Sequence, residues 1–157
     1  MPTLLDFPKD GHLADQIRTG FKDMTKTVKS VLEKWPNSAD IDHVFTQYFP
    51  LEYKCAVETI LNNMANSPPS AKGAEYGSEE VGTIMVTNQD FGNLDDKSRG
   101  YLGAKNDKLD VENSWLHIGP RGYEYPHLAN VDCKNLEGNV FDKMQTLGGY
   151  LLIHELS

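Results

Sequence analysis

Leu13, Ile17, Phe21, Met24, Val28, Val31, Leu32 and Trp35 recur at three- and four-residue intervals, the spacing of one face of an α-helix. Pro36-Asn37 ends that run, and Ser38 is placed to cap a second, short helix carrying Ile41, Val44, Phe45 and Tyr48. After Pro50 a third helix presents Tyr53, Val57, Ile60, Leu61 and Met64. Ser67 to Gly73, rich in Pro and Ser, reads as a loop inside one domain, because neither side carries enough apolar surface to stand alone.

The pattern then changes. Val81 to Thr87 is short and β-branched, a strand by composition, and Trp115 to Ile118 is a second, ended by Gly119-Pro120. Between them Phe91 to Lys108 is rich in Gly, Asn and Asp and reads as a long exposed loop. Arg121 to Asn130 is an aromatic loop. From Leu136 the helical period returns: Leu136, Val140, Met144, Leu147 and Leu151 form one row, with Phe141, Gly148 and Leu152 beside it. Asn135 can cap this helix and Glu137 suits its positive end. Gly148-Gly149 costs about 1 kcal/mol per residue against Ala, tolerable where another element packs against the backbone. The expected class is α+β: a helical portion over 10–66, a small sheet over 80–120 and a buried helix over 135–157, in a single domain spanning 1–157.

At 157 residues the chain is one domain's worth of sequence, long enough for a real core. Its net charge of -8 argues against nucleic acid or an anionic membrane as the main partner. No apolar stretch has the length of a membrane-spanning helix, and no signal peptide is visible at the start. Cys55 and Cys133 fit no metal-binding spacing; two buried free thiols and one disulfide are both compatible with the sequence.

The candidate chemistry lies in the last four residues, His154-Glu155-Leu156-Ser157. On a helix, His-Glu followed two residues later by a second His holds Zn²⁺ between two imidazoles, and the Glu works on the metal-bound water. Here the second His is missing. His154 follows Leu147 and Leu151 by seven and three residues, which places it on their inward face. His117, on a strand, suits a substrate-edge or supporting role, or that of a half-buried strand histidine. His12, His43 and His127 are scattered and read as surface residues. Asp95-Asp96, Asp107 and Asp110 are acidic loop residues without the spacing of a calcium loop. Tyr123 to Pro126 would line a peptide groove or simply pack the loop.

The order of helices, small sheet and His-Glu helix resembles the fungal deuterolysin and lysine-specific metalloendopeptidase-like zincins, the aspzincins. The residues that carry the resemblance are Tyr48-Phe49-Pro50, Gly82 through Asn88 with Asp90, Leu116 to Pro120 with Tyr123, and above all Met144 to Ser157. The resemblance implies a zincin-like fold in which His154 is a zinc ligand and Glu155 the general base. It implies a peptide or protein substrate and secretion, with a cytoplasmic location the alternative. The family's second His and its downstream ligand Asp have no counterpart in this sequence.

The resulting expectation is a zinc metalloendopeptidase-like domain, incomplete and inactive as this chain. The ligands it lacks would come from a C-terminal fragment or through self-association. Substrate would pair with the strand near Val81 to Thr87 or Trp115 to Ile118. The alternatives are a non-catalytic interaction module and a zinc-capturing protein on the same fold.

Overall fold

A computed structural model describes residues 3–5, 7, 11–35, 38–65, 85–87, 100–104, 114–131 and 145–156. The long first stripe forms α1, His12–Lys34, and buries Ile17, Phe21, Met24 and Val28 along one side. Helix α2, Ala39–Tyr48, starts as expected at Ser38, whose hydroxyl accepts from Ile41 N–H at 3.4 Å. Beyond Pro50 a 3₁₀ turn, Leu51–Tyr53, leads into α3, Lys54–Ala65, which reaches the core through Met64 and Ala65.

Four strands follow the order β1-β2-β4-β3: β1 is Thr3–Leu5, β2 Met85–Thr87, β3 Gly100–Ala104 and β4 Ser114–Ile118. β1, β2 and β4 run parallel, with Leu4 opposite Val86 and Val86 opposite Leu116. β3 lies antiparallel to β4, Leu102 facing Leu116. Two of these strands depart from the sequence reading. Gly100–Ala104 falls inside the stretch read as loop: Gly-Tyr-Leu-Gly-Ala has no clean alternation, and its pairing with β4 supplies what local propensity does not. Thr3–Leu5 is too short to give a periodic signal.

The terminal helix is the centre of the packing. Leu147, Leu151 and Leu152 join Ile17, Phe21, Met24 and Val28 of α1, Val86 of β2 and Leu116 and Ile118 of β4 in one core. Gly148 is the reason α1 and this helix can touch. A β-carbon there would run into the Gly20 carbonyl oxygen and lie 2.7 Å from both Asp23 Cβ and Met24 N. The expected close approach at the glycine pair is therefore real. The helix is not, however, one unbroken element from Leu136. Gln145 and Thr146 are non-helical, and Thr146 caps a fresh start, its hydroxyl accepting from Gly149 N–H at 2.8 Å. Asn135, Glu137 and the rest of the first half lie outside the described residues.

From Leu147 to Leu152 the winding is that of a π-helix, continued by a short α-helix, α4, Ile153–Leu156. Leu151 N–H reaches back to the Thr146 carbonyl at 3.3 Å, five residues rather than four. No helix among the described residues is long and apolar enough to cross a membrane.

Candidate functional site

The wider π turn sets the phase of everything after it. A strict 3.6-residue period carries His154 onto the buried face with Leu147 and Leu151. With the extra residue accommodated in the turn, Leu151 and Leu152 remain buried and His154 is exposed. The inward placement expected for His154 is corrected by that change of winding. Its ring lies parallel to Tyr150, at 6.2 Å and 8°, one turn earlier on the same helix. Glu155 belongs to the same last turn, in α4.

Tyr150 in turn packs on Tyr125, ring centroids 5.9 Å apart and tilted by 57°. The aromatic loop is thus loop packing in the first instance: Tyr123 and Tyr125 sit against the core, and the Pro126 carbonyl accepts from Leu147 N–H at 3.2 Å. That last bond ties the loop to the first turn of the terminal helix, using one of its orphan donors. Tyr123 carries a buried hydroxyl with no hydrogen-bond partner among the described residues. Burial pushes its phenol up from 10.0 to about 12, because the phenolate would lose hydration there.

Asp23, which nothing in the sequence singles out, anchors the other end of the loop. Its Oδ2 accepts from Leu128 N–H at 2.9 Å and lies 3.9 Å from His127 Nδ1. His127 is therefore not a plain surface residue: its side chain is 24% exposed and faces a carboxylate from α1. A period-based reading puts Asp23 on the polar side of α1; only the tertiary fold reveals that the loop closes over it. His12 and His43 are exposed, as expected, with His43 near Gln47 at 3.2 Å.

His117 is buried, 6% exposed, on β4, opposite Thr87 on one side and Tyr101 on the other. Both strands expected to pair with substrate are interior to the sheet: β2 lies between β1 and β4, and β4 between β2 and β3. Neither offers a free edge to a peptide. That property falls to β1 and β3, each paired on one side only among the described residues, and α4 packs beside β3.

Cys55 is a free, exposed thiol, so neither the bridge to Cys133 nor a buried thiol at this position is realised. Cys133, Asp95, Asp96, Asp107 and Asp110 lie outside the described residues. No group of three or more His, Cys, Asp or Glu side chains converges to hold a metal among the described residues. His154 offers an accessible imidazole as one donor, where a catalytic zinc takes three protein ligands. By themselves the described residues do not make up that set. Comparisons with protein-family models, curated proteins and solved structures return no match to this chain.

Proposed function

We propose that this is a zinc metalloendopeptidase-like domain of zincin type, in which His154 is one metal ligand and Glu155 the general base. The remaining ligands would come from outside the described residues. The observation that carries the reading is the placement of the His-Glu turn. It ends a helix locked against α1 through Gly148 and projects His154 outward, beside the antiparallel edge strand β3. A peptide drawn along that edge would pair with the side of β3 that has no partner strand among the described residues and run close to the turn that carries Glu155. The π-helical turn before it gives further support, since such turns are rare and concentrate at functional sites. Tyr150, itself packed on Tyr125, would help to hold the imidazole's orientation by stacking on it.

The test is metal content and peptide cleavage of the protein as it accumulates in its source, with His154→Ala alongside. One zinc per chain, with chelator-sensitive cleavage lost in the variant, is the result expected. Zinc without cleavage would favour the zinc-capturing alternative. A zinc-free protein without peptidase activity would refute the proposal and leave the interaction module.

A further inference from the structure

The large apolar side chains left exposed among the described residues all fall within ten consecutive positions: Val44 at 53%, Tyr48 at 74%, Phe49 at 47%, Leu51 at 60% and Tyr53 at 54%. Single exposed apolar residues are ordinary; their concentration at the corner between α2 and α3 is not. Helix α2 has the period of a core helix and yet buries only Phe45, while Val44 and Tyr48, one turn apart, stay in solvent. The corner is nevertheless held in shape. Phe45 packs on Trp35 at 5.6 Å and Phe49 stacks on Phe45 at 5.3 Å. Lys54 Nζ bonds Asp42 Oδ1 at 2.6 Å and lies 6.0 Å above the Trp35 ring, which folds the start of α3 back onto α2 and the end of α1.

Charge selects the occupant. Between residues 40 and 58 the acids are Asp40, Asp42, Glu52 and Glu58; the one lysine there, Lys54, is already paired by Asp42, and the other basic side chain is the imidazole of His43. A second copy of this chain would bring the same acidic rim, on a protein of net charge -8, against its own. An anionic lipid surface is repelled for the same reason. We propose that the α2–α3 corner is a docking surface for a cationic amphipathic segment of a partner protein. The partner's apolar side would cover Tyr48, Leu51 and Tyr53, and its Lys or Arg side chains would face Asp40 and Glu52. Tyr and Phe at the centre with charges at the rim is the usual anatomy of such a surface. Because the shape is already fixed, little ordering is lost on binding. This proposal is independent of the peptidase reading, since it uses none of the residues around His154.

The test titrates the full chain with a short amphipathic helical peptide bearing Leu on one face and Lys on the other. Its Glu-for-Lys counterpart and a Lys peptide without the Leu face serve as comparisons. Tyr48→Ser/Leu51→Ser changes two side chains that pack on nothing in the core, so its circular dichroism should match the parent. Binding of the Leu/Lys peptide is expected to fall about tenfold or more in that variant. It should weaken several-fold in Asp40→Asn/Glu52→Gln and with added salt. The Glu counterpart should not bind. Equal binding of the Lys-only peptide, or of the Leu/Lys peptide to Tyr48→Ser/Leu51→Ser, would overturn the proposal. So would concentration-dependent dimerisation of the parent, abolished in that variant, or binding to zwitterionic vesicles in place of the peptide.

Discussion

Gly148→Ala isolates the contact on which the terminal helix depends. The added carbon would strike three atoms of α1: the Gly20 carbonyl oxygen, Asp23 Cβ and Met24 N, the latter two at 2.7 Å. Carbon contacts settle at about 3.5–4.0 Å, so the helices must separate by about 1 Å. None of the three atoms is the far end of a flexible side chain, so the strain cannot be relieved by a rotamer change. Overpacking of this kind costs about 1–3 kcal/mol, here at the upper end, and Ala recovers about 1 kcal/mol in helix propensity. The net expectation is a loss of about 2 kcal/mol, or about 4–8 °C in Tm for a chain of this size. Gly149→Ala is the internal control. Its new carbon meets the Thr146 hydroxyl at 2.7 Å and Thr27 Oγ1 at 3.8 Å. A hydroxyl can turn away, so the loss of that cap, about 1 kcal/mol, roughly cancels the same propensity gain. Urea melts of the parent and both variants, compared by midpoint at constant slope, measure the difference. If Gly148→Ala is no less stable than Gly149→Ala, the helices do not meet through this glycine and the packing described above is wrong.

Leu147→Ala and Leu151→Ala, at side chains 1% and 2% exposed, should each cost about 2–5 kcal/mol in the same melts. Asp23→Ala removes the acceptor of Leu128 N–H and should cost about 1–3 kcal/mol, with faster proteolysis within 120–131 as the second readout. Tyr123 sets an alkaline limit. Its phenol is raised from 10.0 to about 12, so the folded state holds the proton longer than the unfolded state does. The associated stability is complete below pH 10 and is lost as pH rises towards 12, a window readable by denaturant melts at stepped pH. Tyr123→Phe should remove this loss and be neutral or stabilising at pH 7, because its hydroxyl is buried with no partner among the described residues.

The helices were legible because burial and period coincide in α1: Ile17, Phe21, Met24 and Val28 are both periodic and buried. The glycine contact was legible as well, since a Gly pair in an apolar helix needs a close neighbour. What period could not supply was anything set by tertiary pairing. Strand β3 exists through its register with β4, and Asp23 became an anchor only when a loop 105 residues away closed over it. His154 changed sides because the extrapolation assumed 3.6 residues per turn through a segment that winds more widely. In α2 and the following turn, amphipathic spacing promised burial for Val44, Tyr48 and Tyr53 that the fold does not provide.

The seating of Gly148 on Gly20 also bears on how the chain is made. During synthesis α1 emerges before the strands β2, β3 and β4 of the sheet, and Leu147, Leu151 and Leu152, which cover it in the finished molecule, follow only after those strands. Until then Ile17, Phe21, Met24 and Val28 form a stripe without its cover, and β1 waits for a partner strand 82 residues further along, at Met85. Contacts so distant in sequence form slowly, and an uncovered apolar stripe is open to aggregation in the interval. Ribosome-bound chains ending before Leu147 should therefore recruit chaperones that chains extended beyond Leu152 release.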